Sequence, residues 1–465
     1  MLEGILLVII CLETKSSPPK LHPTTNRCQR MSDQNSSIIP RLSIMMFLQF
    51  FVWGAWYVAM NGFLTKVGMG GYIAAAYTVA PIAAILAPLT LGLIADRFMN
   101  TERVLAILNL VGAGLLWIAP SLAQAGTPDG ALQQFTHPMI LCLLGYMICY
   151  MPTLGLTASL SFKHLSNGEK QFPVVRVLGT IGWIVGNWVM WGSRLLTGNA
   201  ESFSDDSSHI FHAASIASAL LGIYCLTLPK TEPPAKGEPI SIGKVLGVDA
   251  WSMLANPSFF VFALASFLIC IPLAGYYAEG YGFVSAKGIQ LFGSTTGAMS
   301  TGQMSEIFFM LIMPLCFARL GVKKMLAIGM FAWVVRYGIW GWAANQTGIL
   351  LTLPIFVGIL LHGICYDFFF VTGMIYTDRK AKPAVRNQAQ SLIVMLTQGL
   401  GLGLGAQAFG HLKTRYTGDG VLDWSYFWYV PAGFAGIVML AFLAFFWDKS
   451  SSTADGTAEP ATKMS

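Results

Sequence analysis

Charge is what this chain has least of. Asp, Glu, Lys and Arg make up 11% of its 465 residues and hydrophobic residues 55%, whereas a soluble domain carries about 25% charge. So few charges cannot cover a water-facing surface of this size. That excludes the three soluble domains of about 150 residues that the length would otherwise hold. A mean hydropathy of +0.61 points to lipid as the solvent. Paired cysteines are also missing. Cys142, Cys149, Cys225, Cys270, Cys316 and Cys365 fall inside apolar runs, where a free thiol behaves as a small hydrophobe, and no spacing suits a disulfide framework or a zinc site. The catalytic signatures HExxH, GxSxG and the Walker lysine are absent, as are paired intramembrane aspartates. The run "GLGLGAQAFG" has neither the preceding strand nor the following acid of a dinucleotide loop. No enzyme, cofactor or metal is expected. The net charge of +6 is dispersed and forms no patch for nucleic acid. With no nucleotide domain, any uphill transport must draw on an ion gradient.

What is present is a series of long apolar stretches. About 20 such residues cross a bilayer as a helix, and twelve stretches qualify. They run from 43 to 64, 71 to 95, 104 to 124, 138 to 162, 174 to 196 and 210 to 228, then from 257 to 278, 298 to 317, 325 to 344, 349 to 376, 391 to 411 and 427 to 447. None alternates in polarity as a barrel strand would, so an all-α polytopic membrane protein is expected. Residues 229–256, with four prolines and mixed charge, read as a linker between six-helix halves at 41–228 and 257–449. The basic turns "GLIADRFMNTERVL" and "CFARLGVKKML" recur at equivalent places in the two halves. Residues 1–40 read as a disordered leader, with Met31 as the expected start, and 450–465 as a disordered tail. With the N-terminus inside, the inner loops hold fifteen Lys and Arg and the outer loops five, which puts both termini in the cytoplasm.

Ionisable residues within spans usually face the bundle interior and mark a pathway. Here they are Arg176 in span five, Glu306 in span eight, Arg336 in span nine and Asp367 in span ten, with His362 nearby and Glu279 at the outer end of span seven. Helical spacing puts Arg176, Thr180 and Trp183 on one face, Gln303 and Glu306 on a second, and His362 and Tyr366 on a third beside Asp367. Guanidinium, amide, carboxylate and ring together suit a polar, aromatic, uncharged solute, the rings stacking while the polar groups hydrogen-bond. The plainer reading is that Arg336 pairs with a buried carboxylate to hold helices in register, that Arg176 snorkels, that His362 is a packing residue and that Glu279 is an interfacial charge. Pro152 and Gly155 in span four and the glycines of span eleven mark sites of bending or close packing.

Twelve helices in two pseudo-symmetric six-helix bundles, with Gly92, Asp96 and Arg97 in the turn after span two, resemble the major facilitator superfamily. The strings "FLQFFVWGAWYV", "YMPTLGL", "FPVVRVLGTIGWI", "QMSE", "YDFFFVTG" and "RNQAQSL", in that order between Pro40 and Lys449, resemble its nucleoside:proton symporter family. The resemblance implies proton-driven import of nucleosides by alternating access, as a monomer in the lipid bilayer of the inner membrane. It implies that Arg176, Thr180, Gln303, Glu306 and Asp367 belong to the substrate site or its coupling, with Glu306 or Asp367 taking the proton. Trp183 and Tyr366 stand where the family has aromatic residues. Two departures bear on the substrate. Span seven carries Tyr276 and Tyr277 instead of the expected Gln and Asn, and position 362 is His instead of Tyr. Another neutral polar solute such as a nucleobase or sugar, or a ligand sensor that does not transport, stays open on these grounds.

Overall fold

A computed structural model describes residues 25–90, 99–130, 132–166, 168–233, 248–382 and 386–447. The Gly92–Arg97 turn, most of the expected linker, the first part of the leader and the tail lie outside the described residues.

The described residues are helical apart from turns and one two-residue hairpin. In order come α1 (Thr25–Gly54), α2 (Met60–Lys66), α3 (Ile73–Thr90), α4 (Thr101–Ile118), α5 (Pro138–His164), α6 (Gly168–Asn187), α7 (Val189–Thr197) and α8 (His209–Cys225). After the short α9 (Val248–Trp251) follow α10 (Pro257–Ala286), α11 (Thr295–Ala343), α12 (Ile349–Tyr366), α13 (Thr372–Lys380), α14 (Arg386–Val394), α15 (Leu402–Tyr416) and α16 (Trp424–Phe445). Among the described residues, eight helical stretches are long and apolar enough to cross a membrane, or nine if the bent pair α6–α7 counts as one. Starts are written locally. His137, Asn256, Ser294 and Asp423 each accept a backbone N–H in the first turn of the next helix, and Pro138 and Pro257 occupy its first position, where a missing N–H costs nothing.

Breaks are less legible. α1 reaches back to Thr25, across part of the stretch expected as an unstructured leader, so residue 40 is not where the helix begins. Span one is interrupted by a turn at 55–59, and α6 meets α7 at a 51° bend beside Trp188. Spans eight and nine run together as the 49 residues of α11, broken only at Gly321 (φ 67°), a left-handed position that glycine adopts without steric cost. Spans ten and eleven each contain a π-helical turn, Asp367–Val371 and Met395–Gly401. A two-residue hairpin pairs β1 (Thr417–Gly418) with β2 (Val421–Leu422). Its turn is Asp419-Gly420, both at positive φ, the geometry that suits strand twist.

Glycines set the closest helix contacts. A side chain at Gly186 would lie 2.7 Å from the Phe51 carbonyl and 2.8 Å from the Ala55 nitrogen, and one at Gly182 would run into the Phe47 backbone. Thus α6 and α1 touch main chain to main chain. In the glycine-rich span eleven, Gly401 and Gly405 lie against the carbonyls of Phe267 and Ile271 on α10, which favours the close-packing reading of that run. The largest apolar cluster takes all its buried members but Val58 from 259–446. The second takes all but Ala278 and Ala406 from 52–217.

Ties between these two segments gather at one end. Asp205 Oδ2 accepts from Ser294 Oγ (2.8 Å), Thr296 Oγ1 (3.1 Å) and Thr296 N (3.2 Å) at the start of α11. Thr296 Oγ1 also donates to Asn187 O, and Trp188 Nε1 donates to Ser300 Oγ at 2.8 Å. Asn61 on α2 donates to the Ala278 carbonyl and to Glu279. Gln407 on α15 links Thr78 to Gln134.

Candidate functional site

The three faces expected to carry chemistry belong to α6, α11 and α12. On α6, the Arg176 guanidinium lies 4.0 Å from the centre of the Phe50 ring, and Thr180 is buried one turn on. Trp183 meets Trp53 edge-on at 5.3 Å. Trp53 in turn meets Tyr57 and Tyr150, each at 5.5 Å, so Trp183 belongs to a wall of rings.

On α11, Gln303, Ser305 and Glu306 are all buried. What aims Glu306 is a small-residue clamp. Gly302 lies against the Ile359 carbonyl and the His362 Cβ. Ser305 Oγ donates to Leu360 O at 2.7 Å and accepts from Gly363 N at 3.0 Å. The clamp seats α11 on α12 and brings Glu306 Oε1 to 3.0 Å from His362 Nε2. His362 then stacks on Tyr276 of α10, with centroids 5.0 Å apart and planes 20° from parallel. Tyr276 carries the Arg336 guanidinium 4.4 Å from its ring centre. Four side chains from three helices, all buried, thus form a continuous row: Glu306, His362, Tyr276, Arg336.

Two plain readings are corrected. Arg336 has no carboxylate within ion-pair distance among the described residues; it is fully buried, donates from Nε to the Gly358 carbonyl at 2.8 Å and leans on Tyr276. Glu279 is no exposed interfacial charge either. It is 2% exposed, and Lys413 lies 2.9 Å from both of its oxygens. Lys413, counted with the outer loop, reaches down the last turns of α15 to do this.

Asp367 opens the π-helical turn of span ten and is completely buried. Its two oxygens have no hydrogen-bond partner among the described residues. Asp367 feels the charge of Glu306, Glu306 feels Arg176 and Arg336, and Tyr366 feels Glu306, Arg176 and Asp367. Glu306 is therefore linked by charge or contact to groups on α6, α11 and α12. Thr180 and Trp183 stay on the α6 side, and Trp183 and Tyr277 pack against both large apolar clusters. A small cleft between those clusters is lined by Tyr57, Tyr77, Ala274, Tyr277, Leu402 and Ala406. Aromatic planes with charged and hydrogen-bonding groups between them can hold a planar polar solute, and a buried carboxylate there can carry a proton.

Sequence reasoning missed the pairing of His362 with Glu306, the stacking role of Tyr276 and the part played by Asp205, Asn61 and Lys413 in joining the segments. The departure at position 362 and the tyrosines of span seven were the available signals for the first two. Nothing in the polar loop around Asp205 distinguishes it from a solvated turn.

Apolar helices of spanning length, packed around buried charge and stacked rings, define a polytopic membrane transporter. Residues 36–451 match the family model described as nucleoside H+ symporter. The chain is 38% identical over 413 residues to YegT of Escherichia coli (strain K12), covering 87% of this chain and 93% of that protein. It is 30% identical over 430 residues to the nucleoside permease NupG of the same organism, covering 90% and 98%. The crystal structure of the nucleoside transporter NupG superposes with a TM-score of 0.75 at 28% identity, covering 89% of this chain and all of that one. The chain belongs to the nucleoside H+ symporter family. It is a multi-pass membrane transporter, not an enzyme.

Proposed function

We propose that the protein imports nucleosides together with protons by alternating access between two six-helix bundles, 41–228 and 257–449, joined by the 229–256 linker in the major facilitator arrangement. Dividing α11 at Gly321, joining α6 to α7 and admitting the shorter apolar helices Ile38–Gly54 and His209–Cys225 brings the spanning helices to twelve. With both termini cytoplasmic, as the loop charges favour, the end tied by Asp205, Asn61 and Trp188 faces outward. The state described is then closed to the outside. The protein works as a monomer in the cell's inner membrane.

In this reading the solute lies between α6, α10, α11 and α12. Its base stacks among the rings of Trp183, Tyr366 and their neighbours, and Arg176, Thr180 and Gln303 hydrogen-bond it. Glu306 takes the coupling proton, with Asp367 as the second acidic group of the site. A bare carboxylate resists enclosure in a dry cavity, because burying unpaired charge is costly, so protonation and solute binding favour the same closed form. Each pH unit of gradient then contributes ~1.4 kcal/mol to accumulation. The observation that carries the reading is the burial of Glu306 against His362, within the electrostatic influence of Arg176 and Arg336.

The test is uptake of radiolabelled uridine and adenosine into proteoliposomes under an imposed pH gradient, with nucleobases and sugars as competitors. Accumulation that follows the gradient and yields only to nucleosides is expected. Uptake indifferent to the gradient overturns symport, and displacement by a sugar or nucleobase instead overturns the substrate class.

A further inference from the structure

We infer that Glu306 does not hold the coupling proton alone: His362 is a positioning partner that reverses its hydrogen bond to Glu306 when the proton binds. The inference deepens the proton-symport reading and rests on it.

The geometry is specific. His362 Nε2 is 3.0 Å from Glu306 Oε1, with the ring 2% exposed. The ring cannot swing away, since it stacks on Tyr276 and its Cβ abuts Gly302. Nδ1 has no partner among the described residues. While Glu306 is a carboxylate, a neutral imidazole with its hydrogen on Nε2 donates to Oε1 and leaves Nδ1 bare. When the site gains one proton, that proton is taken up at Nδ1 and the Nε2 hydrogen passes to Oε1. The products are a neutral carboxyl that donates to a bare Nε2 and a neutral ring with its hydrogen on Nδ1. One O–H and one Nδ1–H bond form, one Nε2–H bond breaks, and the charge of the pair rises by one. Imidazole suits this exchange because one ring nitrogen donates while the other accepts.

Apart from Asp367, the groups that face the pair are fixed in charge or neutral. On its own helix His362 has Tyr366 a turn away. From α10 it meets Tyr276, and Tyr277 interacts with Glu306. From α11 Arg336 acts on both the ring and Glu306, and from α6 Arg176 acts on Glu306. Asp367 is the other acid within reach. The two guanidiniums remain charged throughout, and Asp367 is the neighbour whose own titration adds to that of the Glu306–His362 pair.

The test uses the full-length protein in two measurements. In proteoliposomes, the pH profile of gradient-driven uridine and adenosine accumulation is compared for wild type and His362→Gln, which keeps an N–H for Glu306 and cannot exchange tautomers. A midpoint shifted by about half a pH unit or more is expected, the scale of the neutral hydrogen bond from the protonated carboxyl to bare Nε2, which an amide N–H facing Glu306 cannot accept. Superimposable profiles overturn the inference and leave the symport reading standing, whereas a wild type indifferent to the gradient overturns the symport reading itself. Acid-induced infrared difference spectra of purified wild type minus Glu306→Gln need neither transport nor a folded His362 variant. Imidazole ring bands that change together with the Glu306 carboxyl band are expected. A carboxyl band without ring bands overturns the inference.

Discussion

Replacing Asp205 by alanine tests what holds the two segments together at the Asp205 end. One carboxylate oxygen accepts three hydrogen bonds at 2.8–3.2 Å from Ser294 and Thr296, and Arg194 stands 3.5 Å from the other. A hydrogen bond to a charged group contributes about 1.5–3 kcal/mol. Three that share one oxygen do not add, so the whole tie amounts to about 2–4 kcal/mol. Asp205 is 6% exposed, and solvent screens it little. Its hydrogen-bond donors, Ser294 and Thr296, lie on the other segment, so these bonds exist only while this end is closed. At ~1.4 kcal/mol per tenfold change in an equilibrium, their loss raises the open fraction about 30-fold or more. The readout is thiol labelling of Ser300→Cys in a chain otherwise without cysteine. Position 300 is fully buried against Trp188 across the joint and reacts in proportion to the open fraction. The Asp205→Ala background is expected to label at least about tenfold faster. A rate within twofold of its parent refutes the argument that these bonds hold the end shut.

Other predictions follow from the same packing. Gly182→Ala sets a methyl against the Phe47 main chain, which cannot yield as a side chain can; a loss of about 1–3 kcal/mol is expected, seen as a lower melting temperature in detergent, while Gly114→Ala, with nothing within 4 Å, causes no loss. Glu279→Gln leaves Lys413 without its counter-ion and lowers the melting temperature. Adding Lys413→Met is expected to recover part of that loss, and a double-mutant cycle with zero coupling contradicts the pairing. At the loop surface, partial burial pushes the Asp206 carboxyl up, but hydrogen bonds from Ser204 and Lys66 outweigh it and hold it below its ordinary value. Its contribution is therefore present above the unfolded-state value and fades as pH falls through the folded one. A small acid-side drop in melting temperature is expected that Asp206→Asn abolishes, small because the pair is half exposed.

Much of this architecture is legible in the sequence because lipid imposes it. An apolar run near 20 residues has few alternatives to a helix, and Pro257 after Asn256 or Ser294 before Thr295 marks where the helix starts. The hairpin at Asp419-Gly420 could also have been read from its dipeptide. The breaks at 55–59 and Trp188 and the π turn at Asp367 could not, since no proline announces them and tertiary packing decides them. At the site, scarcity of charge singles out Arg176, Glu306, Arg336 and Asp367. Their partners are invisible to local periodicity. His362 lies 56 positions from Glu306 and Tyr276 lies on a further helix; it is packing, including the Gly302–Ser305 clamp between α11 and α12, that brings Glu306 and His362 together. Arg336 shows the limit of pairing rules, since a ring and a carbonyl serve where a carboxylate is the usual expectation.

If solute and proton cross together through the site around Glu306, adding uridine or adenosine to proteoliposomes without any imposed gradient moves external pH. Nucleoside entry is expected to draw protons inward and alkalinise the medium, and Glu306→Gln to abolish this signal. Nucleoside entry with no accompanying proton movement in the wild type would contradict symport.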